Sequence, residues 1–202
     1  MPSVSSILES QDNRSAKNRV LRAASKLFAA HGFRGTSVRQ IASRARVNEV
    51  TVFRLFSSKR ALYKEVLESK LNWKPPVWEP SEATLEDEKV FSGLADQLQQ
   101  AFDPEFMRLL FFAALETPAA VKKSVSPKMD QFYGVVGNYL QKRMNLGAMR
   151  IADPQLVVKA LVALIVYDRI SIDLLKGRPI PADQAKTHTA SLLEIWLHGV
   201  AR

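Results

Sequence analysis

The sequence predicts an all-α protein, and three observations carry that prediction. Apolar residues recur at helical spacing along the chain, whereas no alternating apolar and polar run bounded by hairpin turns predicts a strand. Residues that cap helix N-termini precede several of the apolar stripes. Proline follows Asp103, Thr117, Asp153 and Ile180, where it suits a first helical turn that needs no backbone N–H. The chain should therefore consist of helices joined by turns.

The first third of the chain predicts four helices. The stretch NRVLRAASKLFAAHG carries one apolar stripe and stops at Gly32, a residue type that favours helix C-termini. Ser37 followed by Gln40 forms a capping box for a second helix. Asn48 and Ser58 can cap the third and fourth helices. The residues expected to point inward from the second and third helices are Val38, Ile41, Ala42, Ala45, Val52 and Phe56.

A proline-rich break separates this region from the rest of the chain. The segment NWKPPVWEP contains three prolines and interrupts the helical pattern, so we place a domain boundary there. The sequence thus predicts a polar, flexible arm at 1–13, a first domain at 14–74 and a larger second domain at 75–202. Helix-length segments follow at 81–102, 104–115, 118–146, 153–176 and 182–200.

Composition limits the classes of protein that fit. With 202 residues, 47% of them hydrophobic, the chain has enough apolar surface for a buried core. The absence of cysteine excludes disulfides and thiolate metal sites, and it fits a reducing, cytoplasmic compartment. The N-terminal residues lack the basic-then-apolar order of a secretion signal. The most apolar run, ALVALIVY, is far shorter than the ~20 residues that a membrane-spanning helix needs.

The charge is divided unevenly along the chain. Residues 1–74 contain 15 Lys or Arg against 5 Asp or Glu, whereas residues 75–202 contain 14 against 15. This asymmetry favours a module that binds a polyanion, joined to a nearly neutral module. On charge alone, a membrane surface or an acidic protein would serve as well as a nucleic acid.

The stretch TSVRQIASRARVNEVTVFRLF spans the second and third helices and offers no catalytic group. Ala42 is small enough to let two helices cross closely, while Val52 fills the angle between them. This pattern is typical of a helix-turn-helix, whose second helix lies in the major groove of DNA. In an isolated helix Arg39, Arg44 and Arg46 would indicate a solvated face, but within this motif they favour contact with DNA.

The longer stretch AASKLFAAHGFRGTSVRQIASRARVNEVTVFRLFSSKRALYKEVL resembles the N-terminal DNA-binding domain of TetR-type transcriptional regulators. The resemblance implies a three-helix helix-turn-helix domain followed by a larger helical domain for ligand binding and dimerisation. It also implies a homodimer, formed by the last two helices, that loses affinity for a double-stranded DNA operator when a small molecule enters the second domain. The matching positions are Phe28, Gly32, Thr36, Ser37, Ile41, Ala42, Ala45, Val47, Phe56, Ser58, Lys59 and Leu62.

Three positions depart from the pattern that the resemblance implies. Arg46 stands in the turn where glycine is usual, and a left-handed backbone there would cost arginine roughly 1 kcal/mol. Glu49 stands where lysine is common, and Phe53 where a tyrosine hydroxyl usually reaches a phosphate. These two changes remove part of the usual phosphate contact.

The exposed side of the third helix is expected to carry the residues that read bases, Thr51 and Arg54. Lys59, in the first turn of the fourth helix, is expected to contact phosphate. The full set predicted to bind DNA is Thr36, Ser37, Arg39, Arg46, Asn48, Glu49, Thr51, Phe53, Arg54, Lys59 and Arg60.

The second domain is rich in bulky, adaptable side chains. Such a mixture forms ordinary cores, but it also lines apolar ligand cavities. The prediction of an effector pocket rests chiefly on the resemblance. Asp168 lies in an apolar helix, where a carboxylate needs a basic partner or a hydrated cavity. The predicted ligand-binding residues are Phe106, Phe111, Phe112, Met129, Phe132, Tyr133, Tyr139, Tyr167 and Asp168.

The last two helices carry more apolar surface than one pocket needs. They are expected to form a self-complementary four-helix seam with a second copy, with Trp196 as its central anchor. The predicted interface residues are Val162, Val166, Ile170, Leu192, Ile195, Trp196 and Val200.

A ligand-responsive repressor accounts for the charge division, the motif and the helical second domain together. No nucleophile, base or metal constellation indicates an enzyme, and the spacing of His188 and His198 predicts no metal site, so neither a metal nor a cofactor is expected. Two alternatives stay open on the sequence. One is a helical enzyme or carrier of apolar small molecules, and the other is a non-specific binder of the nucleoid or of a membrane surface.

Overall fold

The computed structural model describes residues 4–71, 87–175 and 181–200, with side-chain surroundings from residue 15 onward in most of these ranges. Every regular element in these ranges is helical, so the all-α prediction is confirmed. The α-helices are α1 (Val4–His31), α2 (Val38–Ala45), α3 (Glu49–Phe56), α4 (Lys59–Lys70), α5 (Asp87–Ala101), α6 (Pro104–Glu116), α7 (Pro118–Ala120), α8 (Ser126–Asn145), α9 (Pro154–Arg169) and α10 (Ala182–Val200). Two π-helical segments, Val121–Val125 and Ile170–Leu175, precede α8 and follow α9.

The predicted caps are present at three helix N-termini. The Ser37 hydroxyl accepts from the Gln40 backbone N–H at 3.2 Å, and the Gln40 side chain accepts from the Ser37 N–H at 2.7 Å, which completes the capping box. The Asn48 side chain accepts from the Thr51 N–H at 2.7 Å. The Ser58 hydroxyl accepts from the Ala61 N–H at 3.1 Å. These bonds satisfy backbone donors that the first helical turn leaves without intrahelical partners.

The N-terminal region departs from the predicted flexible arm at 1–13. In the structure α1 begins at Val4 and continues without a break to His31. The stretch from Val4 to His31 contains neither proline nor glycine, so nothing in it interrupts a helix that the apolar stripe nucleates further along.

The described chain divides into two compact units. The first comprises Met1–Asn72 and Glu105–Val125, and the second comprises Trp73–Pro104 and Ser126–Arg202. Residues 105–125 therefore belong with the N-terminal unit, whereas the sequence assigned them to the second domain. The segment NWKPPVWEP, in which the sequence places the domain boundary, lies outside the described residues.

Polar contacts attach α6 and the following turn to the rest of the first unit. The Glu105 carboxylate accepts from the Ser25 hydroxyl and lies 3.1 Å from the Lys70 ammonium. At the other end of α6, Glu116 Oε2 accepts from the Arg34 backbone N–H at 3.0 Å. The two hydrogen bonds join residues about 80 positions apart in sequence, and the ion pair also joins distant residues, so no local pattern could have indicated them.

An aromatic cluster forms the centre of the first unit. The ring of Phe28 meets the ring of Tyr63 edge-on with centroids 4.8 Å apart, and Phe33 lies 5.2 Å from Tyr63. Burial raises the pKa of Tyr63 to about 12, so its hydroxyl stays neutral at physiological pH. The inward prediction for α2 and α3 is confirmed for Ile41, Ala42, Ala45, Val52 and Phe56, whereas Val38 is only half-buried.

The second unit is a helical bundle in which α5, α9 and α10 pack on one another and α8 packs on α9. Phe91 lies at its centre, with its ring edge-on to Tyr139 and to Trp196 at centroid distances of 5.7 and 4.8 Å. The Pro104, Pro118 and Pro154 rings open α6, α7 and α9, as the sequence predicts. Among the described helices, none combines the length and the apolarity needed to cross a membrane.

Candidate nucleic-acid interface

The turn between α2 and α3 requires an unusual backbone. Arg46 adopts φ 55° and ψ 51°, in the left-handed region, and the following Val47 N–H donates to the Ala42 carbonyl at 3.0 Å. This arrangement closes the C-terminus of α2 and sets the direction in which α3 leaves the turn. A residue with a Cβ costs roughly 1 kcal/mol relative to glycine in this left-handed conformation. The Arg46 side chain is exposed.

The α3 helix separates its residues into a buried side and an exposed side. Val52 and Phe56 are buried in the first unit, whereas Glu49, Val50, Phe53 and Arg54 are exposed. At about 100° per residue, Val50 and Arg54 point most directly away from the buried pair. Val50 was not among the residues predicted from the sequence.

In the structure Thr51 takes part in the cap of α3. Its backbone N–H and its hydroxyl both donate to the Asn48 side-chain oxygen, at 2.7 and 2.8 Å. Thr51 thereby rigidifies the start of α3, and it is only partly exposed. Its role as a base reader stays a prediction, since the remaining lone pairs of the hydroxyl can still accept a hydrogen bond.

The sequence places Thr36 among the residues that bind DNA, but its side chain is buried in the structure. Thr36 is 1% exposed, and its hydroxyl lies 2.8 Å from the Gly32 carbonyl and 3.1 Å from the Leu27 carbonyl. The shorter contact places the hydroxyl proton on the Gly32 carbonyl, in the turn just after α1. The side chain is therefore structural.

Basic residues line the surface beside the motif. Arg39 and Arg44, both predicted to face DNA or solvent, lie in an open cleft with Ser37, Gln40 and Ser43. A neighbouring cleft is lined by residues of α1 and of the α2–α3 turn. Its basic members are Arg19, Arg22, Lys26, Arg44 and Arg46.

Three of these basic residues, Arg19, Arg22 and Lys26, were missed by the sequence reasoning. Their spacing of three and four residues on α1 places them on one helix face, and this periodicity could have revealed them. Arg19 also donates from Nε to the Ala45 carbonyl at 3.2 Å, which joins α1 to the end of α2. The positive surface therefore extends from α2 onto α1.

Lys59 lies against an aromatic ring at the start of α4. Its ammonium is 4.4 Å from the centroid of Phe33, within cation–π range. Burial lowers the pKa of Lys59, and the nearby Glu116 carboxylate opposes that shift. Lys59 is half-buried, whereas its neighbour Arg60 is exposed. Phosphate contact by Lys59 stays a prediction.

The structure does not gather the predicted ligand-binding residues into one cluster within either unit. Phe106, Phe111 and Phe112 belong to the first unit, and the other six belong to the second. Phe112 packs against Gly32, since a Cβ added to that glycine would lie 2.8 Å from Phe112 Cδ1. Tyr167 is exposed.

Tyr139 and Asp168 have partners within the second unit. The Tyr139 hydroxyl donates to Asp87 Oδ1 at 2.8 Å, and the Arg143 guanidinium binds the same carboxylate. Burial and the neighbouring carboxylate raise the pKa of Tyr139. Asp168 lies 3.6 Å from His188, which is the kind of basic partner the sequence indicated. No group of three metal-ligating side chains occurs in the part of the chain that the structure describes.

Trp196 requires a correction to the predicted dimer interface. It is 4% exposed, and its indole N–H donates to the Val157 carbonyl at 3.0 Å. Its ring also packs on Phe91, so Trp196 belongs to the core and cannot anchor a surface contact. Val162 is likewise buried, while Ile195 is exposed. The other predicted members, Val166, Ile170, Leu192 and Val200, are half-buried.

The fold and this surface define a class of protein. A capped α2–turn–α3 pair on a basic unit, joined to a second helical unit, is a helix-turn-helix DNA-binding regulator. Residues 20–66 match the family model for bacterial regulatory proteins of the tetR family. These matches support assignment of the chain to the TetR family of transcriptional regulators.

Similar proteins support this assignment. The HTH-type transcriptional regulator YvkB of Bacillus subtilis is 25% identical over 170 residues, which cover 70% of this chain and 90% of that protein. The HTH-type transcriptional repressor SCO4008 of Streptomyces coelicolor is 30% identical over 111 residues, which cover 54% of this chain and 55% of the relative. A crystal structure of a TetR-family transcriptional regulator from Mesorhizobium loti superposes with a TM-score of 0.69 at 22% identity, covering 94% of this chain and 98% of that one. The similarity to this crystal structure shows the fold alone.

Proposed function

We propose that the chain is a homodimeric repressor that binds a palindromic operator through α3 and is released by a small, mainly apolar effector. The exposed side of α3 within a basic surface is the observation that carries the proposal. The major groove admits an α-helix, and Glu49, Val50, Phe53 and Arg54 are exposed on α3. Arg39, Arg44 and Arg46 lie on the adjoining helix and turn, in position for phosphate.

In a dimer, each copy would bind one half of the palindromic operator. The second unit exposes apolar residues on both of its last helices, and two such helices from each copy would form a four-helix seam. On α9 the exposed apolar residues recur at spacings of three and four and are Leu156, Ala160, Ala163 and Tyr167. On α10, Ile195 is exposed and Leu192 is half-buried. With Trp196 in the core, Ile195 is the proposed central contact.

This interface has a direct test. Ile195→Lys should yield monomers in sedimentation, because a charge buried at the seam has no partner. The matched control is Leu146→Lys, since Leu146 is also exposed but lies in the turn after α8. If Ile195→Lys stays dimeric, the interface lies elsewhere.

The effector is proposed to bind in the second unit near α8. Met129 and Tyr133 are half-buried, and the Tyr133 ring contacts Phe132 with centroids 5.6 Å apart. Burial raises the pKa of the Tyr133 hydroxyl, so a neutral donor faces any ligand there. Adaptable thioether and aromatic groups of this kind suit an apolar molecule. Small aromatic compounds that bind should raise the melting temperature of the wild type more than that of Tyr133→Ala.

Repression is proposed because a dimer bound to its operator would block the access of other proteins to that DNA. The test is selection of bound fragments from genomic DNA, followed by competition against bulk DNA and anionic vesicles. We expect one short palindrome to be preferred. Equal binding to bulk DNA would indicate a nucleoid-coating protein, and preference for vesicles would indicate a membrane-surface binder.

A further inference from the structure

Two apolar side chains stand on the exposed surface of α3. Val50 is 74% exposed and Phe53 is 47% exposed. They are three residues apart, so their Cβ atoms are neighbours on one helix face. Inward packing does not explain them, because Val52 and Phe56 already supply the contacts of α3 with its own unit. A surface that is otherwise cationic thus carries a small apolar patch.

The charge around the patch points to nucleic acid as its occupant. Arg46 in the turn and Arg54 on α3 are exposed beside Val50 and Phe53. Clusters of arginine on a helix-turn-helix attract the phosphate backbone, so the side chains among them meet the groove that the backbone borders.

The charge of Glu49 also favours contact between this side of α3 and bases. Its carboxylate lies four residues before Phe53 and therefore on the same side of α3. Phosphates repel a carboxylate, whereas the exocyclic amine of cytosine donates to it. The side of α3 that carries Glu49, Val50 and Phe53 is thus suited to base edges in the groove.

We propose that Val50 and Phe53 read the C5-methyl groups of thymine in the operator. Among the groups that base pairs present in the major groove, the thymine methyl is the apolar one, and apolar side chains contact it. Each half-site should therefore require thymine at one position opposite Val50 and at a second position opposite Phe53. The inference rests on the proposed function, in which α3 occupies the major groove.

The test removes single methyl groups from the selected operator. Each thymine is replaced in turn by deoxyuridine, which lacks the C5-methyl group but keeps the same pairing edge. Wild-type affinity should fall about fourfold for each contacted methyl, and about fifteenfold when both half-sites are changed. Substitutions at thymines outside the two positions should leave affinity unchanged.

Two variants assign the positions. Val50→Thr keeps the shape of the side chain but replaces a methyl with a hydroxyl, and it should abolish the sensitivity at one position alone. Phe53→Gln should abolish it at the other. Leu115→Thr is the matched control, because Leu115 is exposed on α6, and it should keep the wild-type sensitivity at both. Melting curves establish that the variants fold.

Three outcomes overturn the proposal. Equal affinity for thymine and deoxyuridine operators excludes methyl readout, although the proposed function survives if the operator is still preferred over bulk DNA. Sensitivity that persists in both Val50→Thr and Phe53→Gln assigns the methyl contact to other residues. Failure to bind any preferred DNA overturns the proposed function and this inference together.

Discussion

The α3 and α10 helices both carry apolar residues, yet the sequence predicts their orientation in one helix and not in the other. In α3 the side chains of Val52 and Phe56 point inward, as expected. In α10 the largest apolar residue, Trp196, was expected at a surface and is instead buried, while Ile195 beside it is exposed. The comparison shows that local signals determine the rotation of a short capped helix, whereas distant partners determine that of a long one.

The physical reason lies in what fixes each helix. The α3 helix has eight residues between the Asn48 cap and the positive-φ residue Ser57, so its register follows from neighbouring residues. The α10 helix has 19 residues, and Phe91 and Val157 decide which of its faces is buried. Phe91 precedes Trp196 by more than 100 positions, so no local pattern connects them.

The largest effect should come from Trp196→Ala. The substitution removes a buried ring and leaves the Val157 carbonyl without its indole donor, so the unfolding free energy should fall by ~3–5 kcal/mol. Chemical denaturation measures the loss. Leu146→Ala, at an exposed apolar residue outside the proposed dimer interface, is the control and should change the unfolding free energy by less than about 1 kcal/mol. Equal losses would mean that the two residues are not divided between core and surface.

Arg54→Ala should have the next largest effect, on DNA rather than on stability. Arg54 points away from the buried side of α3, and its two-pronged donor geometry suits a guanine edge. Operator affinity should fall by ~1–3 kcal/mol, and preference should relax at one base pair per half-site. Binding to single-base operator variants measures both. An unchanged preference would assign base reading to other residues of α3.

Arg46→Gly tests the turn that aims α3. Glycine removes the left-handed strain and should raise the unfolding free energy by about 1 kcal/mol. Arg46→Ala is the control, because it removes the same charge but keeps a Cβ in the strained conformation. A stability gain in both variants would trace the effect to charge instead of backbone.

Lys59→Ala should have the smallest effect on affinity. The ammonium faces the Phe33 ring in the structure, so only a rotation of the side chain brings it to phosphate. The substitution should weaken binding to all sequences about equally and make the salt slope shallower by about one per subunit. Arg60→Ala, at the exposed neighbouring position, offers a matched comparison. A changed sequence preference in Lys59→Ala would contradict a phosphate role.

The sequence thus predicted those features that interactions between residues close together in the chain determine. The helices, the caps at Ser37, Asn48 and Ser58, and the inward residues of α3 follow from such local rules. The attachment of α6 to the first unit, through Glu105 and Glu116, did not. The burial of Thr36 has another cause: its hydroxyl donates to the Gly32 carbonyl just after α1, although its position matched the motif.

The salt dependence of operator binding tests the central claim, that the basic surface around α3 holds a specific DNA site. Affinity is measured for the selected palindrome and for scrambled DNA over a range of salt concentrations. Six to ten phosphates neutralised by the dimer imply that log K falls against log salt with a slope of roughly −5 to −9. The palindrome should also be preferred at every salt concentration. A slope near zero, or equal affinity for palindrome and scrambled DNA, would contradict the account.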